Sequence, residues 1–533
     1  MENQKNIKNL QNESKINKIS DERMNNKLSL RKQMFSKKLI KERLGTVLFI
    51  DYENKTKFFE EDFVNFLNED NKEQIKESIL KMSISELKKL NYNSLELKFW
   101  LFSLRKLTLE GNNEKIKNEI LDNLNEEKVN FIFQILLDLN NNNEEILKFK
   151  YECCSILINL LVDTKDYNNL YIKYSEQIYN FILLLSKQLE NEKSNNSELI
   201  ILFHLIWLFS NSIENSEMFK EIHKNEKIKI PFLIQYLFSL KIFKIYSPVI
   251  WILTYFLRNI NIDFYIQYKV FLNTLTEILN YSIQNTDIEL MNYIFYCFSV
   301  FFNSKEICQE ILNVDSKVIK IIITFYPSSK YSQKAIIKLV KNDLKREFCN
   351  NYNIFSNIIL TNLPHQNQIN FDNILLKNTI KVLKEYISLP NNEEIINQIM
   401  FNKDFLNLLI NILLSNTDLK LLCALVKFLI CLFQKGNNYI KNDLIKKNIH
   451  ILPLNELKKY VDLKDKKYNN LIANYLDLII IIMNYYKEEK EIYFIKEQLE
   501  ENEICEVLDE FQYSKDKEVY ERACYLLQNY WEE

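Results

Sequence analysis

Three glycines and six prolines in 533 residues restrict what this chain can fold into more than any other feature does. Sheets, hairpins and phosphate-cradling loops need glycine where the backbone turns left-handed or approaches another group closely. With so few, the sequence predicts helices throughout, joined by turns that other residues must make. Asparagine tolerates the left-handed region better than other non-glycine residues, so short runs such as Asn141 to Asn143 are read as interhelical turns. Hydrophobic residues, at 47%, supply an extensive core, and 26% charged residues cover it.

Several classes of function fall away on composition. A net charge of −2 excludes a globally basic nucleic-acid binder, so no direct nucleic-acid partner is expected. No 18-residue apolar run is free of polar residues, and Met1 to Asn26 is almost wholly polar, so neither a membrane span nor a signal peptide is predicted. Nine cysteines show no CxxC pairing. Cys153, Cys154, Cys297, Cys423 and Cys431 sit in apolar stretches and read as small buried hydrophobes of a reducing, intracellular compartment. His204, His223, His365 and His450 are scattered, and neither a phosphate loop, a nucleophile elbow nor a metal constellation is present in the sequence. We therefore expect no enzyme, no cofactor and no metal. His204 is read either as a groove residue or as a partly buried packing histidine.

The chain changes texture along its length. Residues 1 to about 26 are predicted to be disordered. Residues 27–45 form a basic amphipathic segment with Leu28, Phe35 and Leu39 on one seam, and Arg23 to Arg43 holds eight basic residues against one acid, Glu42. From about residue 72, apolar helices alternate with short polar turns. FKYECCSILINLLV (149–162), LIILFHLIWLFSNSI (199–213) and PVIWILTYFLRNI (248–260) are apolar around most of their circumference, which suits helices packed between neighbours. Matching positions recur at 44 to 52 residues, from Asn159 to Asn211 and from Asn211 to Tyr255. Armadillo and HEAT repeats have periods of about 40–47 residues, and such units stack into a superhelix with a long concave groove. The reading is an all-α, right-handed armadillo solenoid of about ten repeats.

Trp207 and Asn211 are spaced i, i+4 and share one helical face. An asparagine amide can clamp the main chain of an extended peptide. An indole four residues earlier offers a wall for aliphatic stems and for cation–π contact with Lys or Arg. One repeat on, Trp251 keeps the register with Tyr255 in place of asparagine; one repeat back, Asn159 keeps it with Ser155 in place of tryptophan.

These repeats resemble those of importin-α. LSLRKQMFSKKLIKERLG resembles that family's importin-β-binding segment, and ICEVLDEFQYSKDKEVYERACYLLQNYW resembles its closing repeat. The resemblance runs over essentially the whole chain and divides it into an importin-β-binding-like segment (1–60), armadillo repeats (72–490) and a closing repeat (491–533). It implies a nuclear import adaptor that shuttles between cytoplasm and nucleus. Basic nuclear localisation signals would lie along Ser155, Asn159, Trp207, Asn211, Glu214, Trp251 and Tyr255, with Trp207 and Trp251 sandwiching basic side chains. Importin-β would be met by Arg31, Lys32, Lys37, Lys38, Lys41 and Arg43, and an export receptor with Ran GTPase would recycle the protein.

Three departures stand out. The family's autoinhibitory basic triplet is Lys41-Glu42-Arg43 here, and its cargo-pairing Asp position falls on Asn215, with Glu214 as the substitute. The expected pair of a later repeat reads Leu383 and Ile387, so a second groove is expected to be lost. The alternative is an armadillo scaffold without localisation-signal binding.

Overall fold

The computed structural model describes residues 81–531, apart from 93, 111–123, 139–143, 164–166, 192–195, 315, 344–346, 363–371, 391–395, 397–402, 416–417, 464–465 and 488–490. The basic segment of residues 1–60 and the Asn141–Asn143 run lie outside the described residues. The chain divides into two compact units at Asn261/Ile262. Every described element is helical.

Each unit is built on a ladder of helices in which every rung packs on the next. The first unit holds α1 (Leu95–Glu110), α2 (Glu144–Asp163), α3 (Asn196–Glu214) and α4 (Tyr246–Asn259). The second holds α5 (Ile288–Phe301), α6 (Lys330–Asn342), α7 (Asn373–Ser388), α8 (Leu419–Lys435), α9 (Asn469–Tyr486) and α10 (Lys517–Leu526). Ten such rungs among the described residues agree with the repeat number read from the sequence. Polar ties between successive rungs recur at the same chain interval. Asn159 Nδ2 donates to Thr108 Oγ1 (3.2 Å), Asn259 Nδ2 to the Ile213 carbonyl (2.8 Å), Asn342 Nδ2 to the Phe302 carbonyl (2.6 Å) and Asn378 Nδ2 to Gln333 Oε1 (2.6 Å). These partners are 40 to 51 residues apart, the repeat period itself.

The apolar rungs are consumed by packing. From Tyr151 to Leu160 every residue of α2 is buried, and the helix Ser197–Glu214, with a mean hydropathy of 1.2 that would suit a membrane span, has 89% of its window buried inside the protein. Phe133, Phe149, Phe209 and Phe256 in the first unit and Phe295, Tyr475 and Tyr486 in the second are essentially inaccessible. Each such side chain contributes roughly 1.5–3 kcal/mol through removal from water.

The turns are made differently from the sequence expectation. Seven asparagines and aspartates among the described residues act as N-caps, accepting from the first free backbone N–H groups: Asn125, Asn215, Asp287, Asp372, Asp418, Asn437 and Asp516. Among the described residues left-handed backbone falls on Lys241, Thr286, Asn353, Asn448 and Glu503, only two of which are asparagine. Gly436 is needed for closeness rather than for its φ. A Cβ there would stand 2.8 Å from both the Leu432 carbonyl oxygen and Ile440 Cγ2.

Cys153, Cys154, Cys297 and Cys431 are buried as expected, and burial pushes the Cys153 and Cys154 thiols up. Cys423 differs, being half-buried.

Candidate functional site

The residues singled out in the first unit fall on one strip of the ladder. Along α3, Phe203, Trp207, Asn211 and Glu214 recur at steps of four, four and three and therefore share a face. Phe203 and Glu214 are among the few residues of α3 that are not fully buried, which marks this face as its most accessible. On α4 the corresponding residues are Trp251, Tyr255 and the exposed Arg258.

The rings form a continuous run. Phe203 stacks on Trp207 with centroids 6.2 Å apart and planes at 19°. Trp207 meets Trp251 edge-on at 6.5 Å and 72°, and Trp251 packs on Tyr255 at 5.0 Å. Arg258 lies over the Tyr255 ring at 5.8 Å and reaches back to Glu214 Oε1 at 3.9 Å, which closes the circuit between the two helices. Of the residues singled out from the sequence, Trp207, Trp251 and Tyr255 meet in this run, with Asn211 on the same face as Trp207; Phe203 and Arg258 join it and were missed. Phe203 at i−4 from Trp207 and Arg258 at i+3 from Tyr255 were legible from helical spacing alone.

The run differs from a cation slot in one respect. Trp207 and Trp251 are 5% and 7% exposed and touch each other, so they do not stand apart on either side of a space for a basic side chain.

The amides are spent unequally. Asn159 is tied to Thr108, and Ser155 is buried in α2 with its hydroxyl making no hydrogen bond among the described residues. Asn211 is 5% exposed, and its Nδ2 likewise has no hydrogen-bond partner among the described residues. A buried donor left unsatisfied costs about 1–3 kcal/mol, and the described residues supply no acceptor for the Asn211 Nδ2.

The acids beside this strip already have partners. Glu152 Oε2 lies 2.6 Å from Arg105 Nε, and burial raises the Glu152 carboxyl above its ordinary value although Arg105 pulls the other way. Glu214 faces Arg258. Asn215, which stands where the resembled family has an aspartate, caps the helix Ser216–Lys224, accepting from the Glu217 and Met218 N–H groups at 2.9 and 3.2 Å.

His204 resolves to packing. Its Nδ1 donates to the Ile200 carbonyl at 2.7 Å, Tyr151 meets its ring edge-on at 4.8 Å, and burial pushes it down to about 4. Leu383 and Ile387 are fully buried in α7, so the pair assigned to a later groove lies on the core side of that helix. The accessible strip of α7 runs instead through Lys377, Lys381 and Lys384. The residues assigned to importin-β, Arg31, Lys32, Lys37, Lys38, Lys41 and Arg43, lie outside the described residues. No group of three or more His, Cys, Asp or Glu side chains able to hold a metal occurs among the described residues.

No protein-family model and no curated protein matches this sequence. Solved structures do match in fold. The karyopherin Kap121p, in its structure bound to the SUMO protease Ulp1p, is 11% identical at a TM-score of 0.51, over 85% of this chain and 49% of that one. A chain from a study of a phosphorylation switch in the interaction between cadherin and β-catenin gives 12% identity and a TM-score of 0.45 over 84% of this chain and 85% of that one. The UNC-45 myosin chaperone gives 12% and 0.36 over 89% and 49%. This chain spans about half the length of the Kap121p and UNC-45 chains. A helical-repeat solenoid of the armadillo/HEAT type is thus the fold that the ladder shares with Kap121p.

Proposed function

We propose that this chain is a protein-binding solenoid without bond-making chemistry, whose α3–α4 strip holds an extended peptide. The observation that carries this reading is the Asn211 Nδ2, buried and without a hydrogen-bond partner among the described residues, on the same face of α3 as Phe203 and Trp207 of the Phe203–Trp207–Trp251–Tyr255 run. A peptide carbonyl supplies the missing acceptor, and the ring edges supply apolar contact along the strand. In its most specific form the reading is a nuclear import adaptor. A Lys/Arg-rich localisation signal occupies the strip, importin-β is met by the basic N-terminal segment, an export receptor with Ran GTPase recycles the chain, and the protein shuttles between cytoplasm and nucleus.

Direct titration with a labelled Lys/Arg-rich peptide tests this form. Trp207→Ala should weaken binding at least about tenfold, or about 1.4 kcal/mol. Asn211→Leu is the sharper variant, because removing an unsatisfied donor should leave the free protein as stable or up to about 1 kcal/mol more so while peptide affinity falls. Unchanged affinity in both variants excludes the strip as the binding site.

A second reading, a scaffold that does not take localisation signals, is favoured by two observations. The indoles touch, and Glu152 and Glu214 already face Arg105 and Arg258. It predicts that an uncharged extended peptide of equal length binds as tightly as the basic one.

A further inference from the structure

The strips of α6, α7 and α8 carry a chemistry that the first unit does not. KYSQKAIIKLVKN, NILLKNTIKVLKEYIS and LKLLCALVKFLICLFQK hold ten lysines and one acid, Glu385, in a chain whose net charge is −2. Lys334, Lys338 and Lys341 share one face of α6 at i, i+4 and i+7, and Lys377, Lys381 and Lys384 repeat the spacing on α7. Lys420 and Lys427 stand two turns apart on α8. The Asn378–Gln333 bond joins α6 to α7, and the contact of Ser388 Oγ with Cys431 Sγ at 3.2 Å joins α7 to α8, so these faces adjoin.

Lys381 is exposed and has Lys377, Lys384, Lys420 and Lys427 as charged neighbours; burial of its stem and these four ammonium groups hold it below the usual lysine range. The one acid on the three helices, Glu385, sits 3.3 Å from Lys384. A face of like charges repels itself in the free protein and is relieved when an anion docks.

Two further observations select the anion. Isoleucines lie among the lysines on the same faces, with Ile374 51% exposed and Ile337 and Ile430 half-buried. The aromatic rings of the three helices, Tyr331, Tyr386, Phe428 and Phe433, are buried, which leaves no platform on which nucleic-acid bases could stack. A surface of ammonium groups and aliphatic side chains suits a chain that alternates carboxylates with apolar residues.

We propose that the face formed by α6, α7 and α8 docks an extended acidic segment of a partner protein. Its Asp and Glu side chains meet Lys338, Lys381, Lys384 and Lys427, and its aliphatic side chains rest on Ile337 and Ile374. Rungs packed roughly 8–10 Å apart and a chain rising about 3.3 Å per residue bring every third residue of the partner to a new rung. This inference concerns the second unit and an oppositely charged client, so it stands or falls apart from the α3–α4 strip.

The test is anisotropy titration of the full chain, at about 50 mM salt, with a labelled peptide carrying Glu at every third position and Leu or Ser between. Its Glu→Gln counterpart and a single-stranded oligonucleotide of equal length serve as comparison probes. The Glu peptide should bind saturably, with affinity falling as salt rises, and its Gln counterpart should bind at least about tenfold more weakly. Lys381→Glu with Lys384→Glu should cost at least about tenfold and Lys381→Gln about threefold, with helical content unchanged, while Trp207→Ala leaves the acidic peptide's affinity as it was. The proposal is overturned by absence of saturable binding, by affinity indifferent to the lysine substitutions, or by an oligonucleotide that binds more tightly than the peptide.

Discussion

Trp251 in the first unit and Lys334 in the second occupy the same step of the ladder. Each stands eight residues before an asparagine, Asn259 or Asn342, whose amide donates to a carbonyl of the preceding rung. Four residues before those asparagines stand Tyr255 and Lys338. One backbone register therefore presents a run of rings in the first unit and a row of ammonium groups in the second. The rungs fix where a side chain points, and the side chain alone decides which client it suits. A solenoid can in this way change its chemistry from unit to unit without changing its fold.

The largest expected difference between the units lies in how they treat charge. Arg105 and Glu152 pair at 2.6 Å with side chains 12% and 1% exposed, whereas Arg522 and Asp477 pair at the same distance with 25% and 35% exposed. Arg105→Ala strands a buried carboxylate and should cost about 3–5 kcal/mol at neutral pH, and less as pH falls and Glu152, already raised by burial, takes up a proton. Arg522→Ala should cost about 1 kcal/mol or less. Chemical unfolding followed by tryptophan emission reads the first unit preferentially, since Trp100, Trp207 and Trp251 lie there and only Trp531 lies in the second. Equal losses for the two substitutions would break the contrast.

A smaller effect comes from His204. Its folded value of about 4 lies below the ordinary value of 6.5, so the unfolded chain takes up a proton that the folded chain refuses. Stability is whole above pH 6.5 and is lost as pH falls toward 4, by about 2–3 kcal/mol at pH 4.5. His204→Gln should flatten that part of the pH profile of tryptophan-detected unfolding. Smallest is the relief of repulsion in the second unit: Lys381→Gln should change stability by no more than about 0.5 kcal/mol, on the stabilising side, and less at high salt.

Much of this was legible in the sequence because helical spacing is strict. The scarcity of glycine announced helices, the 44- and 52-residue intervals announced rungs, and i, i+4 spacing put Trp207 with Asn211 and Trp251 with Tyr255. What failed was register across rungs. Leu383 and Ile387 looked like the missing pair of a later repeat, yet they point into the core, and the homologous strip is made of lysines. The signal was present as lysines at i, i+4 and i+7 on apolar helices almost without acids, but a charge run reads as solvated surface until neighbouring rungs are seen to align it. Asn215, read as a departure from the family's cargo-pairing aspartate, has a local use instead: its side chain caps a helix N-terminus. Contact between the two indoles was likewise invisible, because spacing along one helix says nothing about ring orientation across two.

The central claim is that two strips in one register serve clients of opposite charge. A competition titration tests it most directly, with the full chain, a basic peptide and an acidic peptide followed separately by their own labels while tryptophan emission is recorded. The account predicts that both peptides bind at once without competing and that only the basic one perturbs tryptophan emission. Mutual displacement of the two peptides, or an emission change caused by the acidic one, would contradict it.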